Sequence, residues 1–109
     1  MKEIKAFVKP FKVNDIVHQL MDAGYPNITI SMAEGTGKFK SDDPSISTHF
    51  SISDSQVAKL EIVSKKEDVD KIISIISEQG RTGNSGDGLI YISDVEKTYR
   101  VKTGLENNN

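Results

Sequence analysis

The stretch MKEIKAFVKPFKVNDIVHQLMDAG, residues 1–24, contains the signal for a strand followed at once by the signal for a helix. Apolar and other residues alternate from Ile4 to Val8, as they do in a strand with one buried face. Pro10 ends that pattern because it has no N–H to donate. Beyond it, apolar residues recur at spacings of three and four, the pattern of one helix face, and Gly24 suits a left-handed helix terminus.

The stretch VAKLEIVSKKEDVDKIISIISEQG, residues 57–80, repeats this order. Val57–Val63 reads as a strand, Ser64–Glu67 has the form of a capping box, and the helix behind it ends at Gly80. Two more strands are predicted at Ile28–Met32 and Leu89–Ser93. The order β-α-β, loop, β-α-β predicts an α+β ferredoxin-like sandwich, with an antiparallel sheet and both helices on one face. Self-association is the usual way to cover the other face.

The composition is that of one ordinary globular domain: 109 residues, 36% hydrophobic, 28% charged, with a net charge of -2. The absence of a basic excess argues against nucleic-acid binding. The lack of cysteine excludes disulfides, thiolate metal sites and a cysteine nucleophile. No apolar run is long enough for membrane insertion, and, since the first predicted strand begins at Met1, we expect no signal peptide. The expected location is the cytoplasm.

Three segments could carry function. Thr82–Gly88, TGNSGDG, has three glycines in seven residues, and its N–H groups could form an anion-binding nest. The long polar segment Glu34–Gln56 opens with a second glycine-rich turn, GTGK. Arg100 and Lys102 would share one side of an extended chain and could reach a polyphosphate. Taken singly, each segment could also be a plain turn or a solvated surface.

Together these segments resemble the PII signal transduction protein superfamily over nearly the whole chain. The motifs matched are, in order, MKEIKAFVKPFK, EGTG, KLEIV, TGNSGDG and YRVKTG, at residues 1–12, 34–37, 59–63, 82–88 and 99–104. The resemblance implies one domain over residues 1–104, with the family's T-loop at about 35–56 and its B-loop at 81–88. A polar tail, 105–109, follows, and its last three asparagines are expected to be frayed.

The resemblance implies a homotrimer that binds an adenine nucleotide in the clefts between its subunits, requires no metal and is not an enzyme. Such a protein acts through its T-loop on a partner, here expected to be a membrane transporter or an enzyme. The residues expected around the nucleotide are Thr29, Gly35, Gly37, Lys38, Val63, Gly86, Asp87, Gly88, Leu89, Arg100, Val101 and Lys102.

Some positions depart from the family pattern. Leu89 follows Gly-Asp-Gly where members that bind ATP well have a lysine, and Asn84 occupies a position that is often basic. ADP or AMP is therefore favoured, with ATP possible. Phe39 and Val57 replace a glutamine and a lysine used for 2-oxoglutarate, and Phe50 lacks the hydroxyl of the uridylylated tyrosine. These changes indicate a divergent PII-like member of this nitrogen-regulation family, such as those that serve transporters.

Two other functions are compatible with the fold. A CutA-like metal-binding trimer would use His18 or His49, but the sequence has no His-x₃-His or carboxylate–His spacing. A small phosphate-handling enzyme would need a nucleophile or a base, and no serine has an evident histidine–acid pairing. A regulator without a metal site is the favoured interpretation.

Overall fold

The computed structural model describes residues 1–36, 55–84 and 86–107. Four strands and two helices follow one another in the predicted order: β1 (Lys2–Val8), α1 (Val13–Asp22), β2 (Thr29–Gly35), β3 (Ser55–Ser64), α2 (Val69–Gly80) and β4 (Gly88–Asp94). The strands form one antiparallel sheet in the order β2-β3-β1-β4, which is the ferredoxin-like arrangement.

The hydrophobic core lies between one face of the sheet and the two helices. Ile4, Ala6 and Val8 of β1 alternate into it, as their spacing predicts. The largest side chains that are fully buried come from both helices and two central strands: Ile4, Ile16, Leu20, Leu60, Ile72 and Ile76. On the opposite face Phe7 contacts Tyr91, and the Lys59 ammonium lies 3.1 Å from the Glu61 carboxylate. Among the described residues, both helices lie on the core side only.

Several predicted boundaries shift. β2 and β3 reach Gly35 and Ser55, so both continue into the segment that the sequence assigned mainly to a loop. The capping-box prediction at Ser64–Glu67 is wrong. A 3₁₀ turn, Lys66–Asp68, precedes α2, and the Ser64 hydroxyl donates to the Lys65 carbonyl instead of capping the helix. Short polar side chains commonly make such local bonds in place of a cap.

The chain after β4 forms a small hairpin. Tyr99 bridges to Glu106, and the Arg100 N–H donates to the Leu105 carbonyl at 3.0 Å. Asn107 is not frayed, because its N–H donates to the Thr98 carbonyl at 2.8 Å. The other two asparagines lie outside the described residues. We call Thr98–Asn107 the C-terminal hairpin. Within the described ranges, no helix combines the length and apolarity needed to cross a bilayer.

Gly88 is required where β4 joins the sheet. It pairs with Val8, and a Cβ atom added to it would lie 1.7 Å from the Phe7 carbonyl oxygen. Its φ of +115° is also in the region that disfavours other residues. Gly24 has a similar φ, +96°, but no atom lies within 4 Å of its added Cβ.

These two glycines give a matched test. Gly24→Ala carries backbone strain alone, and we expect it to lower the free energy of unfolding by about 1–2 kcal/mol. Gly88→Ala adds a backbone overlap, and we expect a loss above about 3 kcal/mol. Urea unfolding at one fixed protein concentration measures both. Equal losses for the two variants would contradict the close approach of Gly88 to β1.

Candidate functional site

The glycine-rich loop, defined here as Thr82–Gly88, connects α2 to β4. Its glycines at 83, 86 and 88 all have positive φ, of 83°, 80° and 115°. These are backbone conformations that other residues rarely adopt, which accounts for three glycines in seven residues. The loop begins beside the buried end of α2, since Gly80 packs against Ile16 and Val8.

The carboxylate of Asp87 holds the loop closed. It accepts from the backbone N–H of Thr82 at 2.8 Å and of Gly83 at 3.2 Å, and from the Thr82 hydroxyl. The Asn84 N–H donates to Thr82 Oγ1 at 3.1 Å. The loop's first three N–H groups therefore have partners within the loop. These three donors are therefore not available to a ligand.

Asp87 remains ionised despite its partial burial. Burial acts to raise its pKa, but hydrogen bonds from the Thr82 hydroxyl, two backbone N–H groups and Lys9 outweigh burial and lower the pKa to about 2. The sequence placed Asp87 among the residues around a nucleotide. Its carboxylate is occupied by the loop's own donors, so the contribution visible in the structure is to fix the loop's shape.

Lys9 is the residue that sequence reasoning missed. Its side chain is only 9% exposed, and its ammonium lies 3.4 Å from Asp87 Oδ1 and 3.3 Å from Thr82 Oγ1. The signal that could have found it is strand register. Because Val8 pairs with Gly88 in an antiparallel ladder, Lys9, the first residue after β1, comes opposite Asp87.

Two shallow clefts lie at the end of the sheet where the glycine-rich loop joins β4, and Phe7 lines both of them. One is lined on the loop side by Asp87, Gly88 and Leu89, together with Gly80 and Arg81. The other is lined by Ala33, Glu34, Gly35, Thr36 and Val57. Leu89 pairs with Phe7 in the sheet and is half-buried. Gly35, Gly86, Asp87, Gly88 and Leu89 thus lie at one end of the molecule, while Gly37 and Lys38 fall outside the described residues.

The remaining predicted residues lie elsewhere. Val63 of β3 pairs with Glu3 of β1, whereas Gly88 pairs with Val8. Glu3 and Val8 are five residues apart along β1, so Val63 and Gly88 are separated by about 17 Å in the strand direction. Thr29 is on β2, three strands from β4 and so about 14 Å across the sheet. Within one chain, these residues do not join the glycine-rich loop.

The predicted cations lie in the C-terminal hairpin. The chain leaves β4 at Asp94, which pairs with Lys2, at the end of the sheet opposite the loop. The expected extended backbone at Arg100–Lys102 is not found: the Gly104 N–H donates to the Arg100 carbonyl at 2.8 Å and closes a turn. The alternation argument fails for this reason. Arg100, Val101 and Lys102 are all exposed, Val101 completely.

The histidines provide no metal site in the described part of the chain. His18 is exposed on α1, and His49 lies outside the described residues. Among residues 1–36, 55–84 and 86–107, no group of three or more histidine, aspartate or glutamate side chains is arranged to hold a metal ion.

Comparison with known proteins gives one consistent result. The family model described as "Nitrogen regulatory protein P-II" matches residues 1–105. Proteins of that name from Pasteurella multocida and Haemophilus influenzae are each 37% identical over 108 residues, covering 98% of this chain and 96% of theirs. The protein of that name from Microchaete diplosiphon is 34% identical with the same coverage. The chain therefore belongs to the nitrogen regulatory protein P-II family.

Proposed function

We propose that the protein is a regulator that binds an adenine nucleotide in clefts between the subunits of a homotrimer. Nucleotide occupancy would control a partner protein, a membrane transporter or an enzyme, through the segment at about 35–56. The protein would work in the cytoplasm, require no metal and catalyse no reaction. Family membership supports the regulatory role, and the arrangement of the site supports the position of the ligand.

The observation that carries this proposal is the separation of the predicted site into two halves. The glycine-rich loop lies at one end of the sheet, whereas Val63 and Asp94, the last strand residue before the C-terminal hairpin, lie toward the other. Asp94 is six positions along β4 from Gly88, about 20 Å, so the chain enters the C-terminal hairpin at the end of the sheet away from the loop. A second copy, presenting its hairpin to the loop of the first, would complete the site.

The loop end of the sheet and the C-terminal hairpin offer complementary contacts to a nucleotide. The loop has N–H donors near glycines and a fixed backbone, which suits phosphate oxygens. Arg100 and Lys102 supply positive charge, and Arg100 can hold two oxygens in parallel bonds. Phe7, in the cleft beside Gly35, offers apolar surface to an adenine or ribose.

The segment proposed to contact the partner begins and ends at neighbouring points. Gly35 at the end of β2 pairs with Ser55 at the start of β3. An event that changes the spacing of these two residues would therefore act on both ends of the intervening segment. The cleft with Phe7 and Val57 includes Gly35, so a nucleotide bound there would lie directly beside this base.

The subunit-bridging site is tested by mixing two inactive chains. Arg100→Ala removes the phosphate-directed cation, and Gly86→Val adds a branched side chain at a φ of 80°. As homotrimers, Arg100→Ala should weaken ADP binding by roughly one to two decades, and Gly86→Val should abolish binding. In a mixed trimer, one cleft joins an intact loop to an intact hairpin. Calorimetry on doubly tagged, purified mixed trimers should recover about one strong site per trimer.

A matched control uses the double variant, Gly86→Val with Arg100→Ala in one chain, mixed with the Arg100→Ala chain. No cleft of those trimers has an intact hairpin, so no strong site should return. If the two single variants also recover nothing when mixed, the site lies within one chain and the proposal is wrong.

Leu89 should set the preference between nucleoside diphosphate and triphosphate. It follows Gly88 directly, so an ammonium at this position would lie beside the loop. We expect Leu89→Lys to raise the ratio of ATP affinity to ADP affinity about tenfold, because it adds one charge-assisted contact to the terminal phosphate. Ser93→Lys, on the same face of β4 but about 13 Å further along, is the control and should leave the ratio unchanged. A parent protein that already binds ATP tightly and ADP far more weakly would contradict this.

A further inference from the structure

The Lys9 ammonium is buried against the glycine-rich loop, although it belongs to a different part of the chain. Its side chain is 9% exposed, and the loop oxygens beside it are Asp87 Oδ1 at 3.4 Å and Thr82 Oγ1 at 3.3 Å. Burying an ammonium is costly unless it is paired with an anion or hydrogen-bonded. The position is therefore unusual for a lysine unless the loop needs its charge.

Lys9 is fixed from both sides along the chain. Val8 before it is paired with Gly88, and Pro10 after it begins a 3₁₀ turn. Lys9 itself has an extended backbone, with φ of -65° and ψ of 133°. The Lys12 N–H donates to the Lys9 carbonyl at 3.0 Å and closes the turn. The side chain is thus directed to the loop by backbone structure on each flank.

Asp87 poses an electrostatic problem for a loop that receives phosphate. Its Oδ2 atom alone accepts from both the Thr82 and the Gly83 N–H groups, a role that an amide oxygen could also fill, and the carboxylate stays ionised at neutral pH. Like charges close together near a protein surface repel one another strongly enough to change binding by orders of magnitude. An unpaired Asp87 would act in this way on phosphate arriving at Gly86 and Gly88.

We infer that Lys9 is a positioning residue that sets the phosphate affinity of the glycine-rich loop by neutralising Asp87 while remaining too buried to contact the ligand. Asp87 shapes the loop through its acceptor oxygens, and Lys9 cancels the negative charge that the carboxylate brings. The inference rests on the proposed function and concerns the same site. It assigns a role to a residue that makes no contact with the nucleotide.

The inference predicts an effect that grows with ligand charge. Lys9→Met keeps most of the apolar stem but removes the ammonium, which leaves the Asp87 charge uncompensated. ADP affinity should fall about tenfold or more, AMP affinity less, and adenosine affinity by no more than about twofold. A residue that acted only by stabilising the fold would weaken all three ligands alike.

Two further variants complete the design. Lys9→Met combined with Asp87→Asn removes both charges, and ADP affinity should return to within about threefold of the parent protein. Lys71→Met makes the same change in net charge on the exposed first turn of α2, about 15 Å from the loop, and should change no affinity. Calorimetry measures the affinities for AMP and ADP, and a chemical-shift titration measures the affinity for adenosine. Melting curves show whether each variant is folded.

Each outcome decides the question. Equal losses for adenosine and ADP in Lys9→Met, or a double variant that stays weak, would overturn the inference alone. If Lys9→Met does not fold, the double variant carries the test, because it buries no unpaired charge. If the double variant also failed to fold, the inference would be contradicted. According to the inference, the protein does not need the Lys9–Asp87 charge pair once both charges are removed. If the parent protein binds no adenine nucleotide, the proposed function fails first and this inference with it.

Discussion

β1 is hydrogen-bonded to a strand on each side, and the rest of the structure depends on this double pairing. Its seven residues pair with β3 on one side and β4 on the other. Pairing with β4 requires that Gly88 lie against the Phe7 carbonyl, where no other residue fits. The same contact fixes the last residue of the glycine-rich loop and brings Lys9 opposite Asp87. The fold and the candidate site therefore share one interaction.

The second constraint is that helices cover only one side of the sheet. The described residues leave Val63 and Tyr91 about half exposed on the other side, and leave Tyr99, Val101 and Leu105 exposed on the hairpin. A second copy would cover apolar surface and also bring a cationic hairpin to a glycine-rich loop. In that arrangement, assembly and ligand binding are linked, because a nucleotide held by two subunits stabilises their contact.

Periodicity was sufficient to predict the order of the elements, since the change from alternating to helical spacing at Pro10 reflects backbone geometry directly. The glycines at 83, 86 and 88 likewise indicated a loop with left-handed residues. The sequence did not reveal that Lys9 is buried beside the loop, because its contacts with Thr82 and Asp87 join segments more than 70 residues apart. The bonds from Thr82 and Gly83 to Asp87 are local, but they depend on the backbone conformation of the loop, which the residue types do not specify. The inferred capping box failed because Ser64 had a nearer acceptor, the Lys65 carbonyl. The predicted alternation of Arg100 and Lys102 failed because a turn, favoured by Gly104 at a φ of 68°, bends the chain there.

The central claim is that the uncovered sheet face and the divided site are both completed by copies of the same chain. Sedimentation equilibrium at micromolar concentration, with and without ADP, tests it most directly. The chain mass is 12.0 kDa, so a closed trimer predicts three times that mass, about 36 kDa, in a single species. A species at the mass of one chain, unchanged by ADP, would contradict the account.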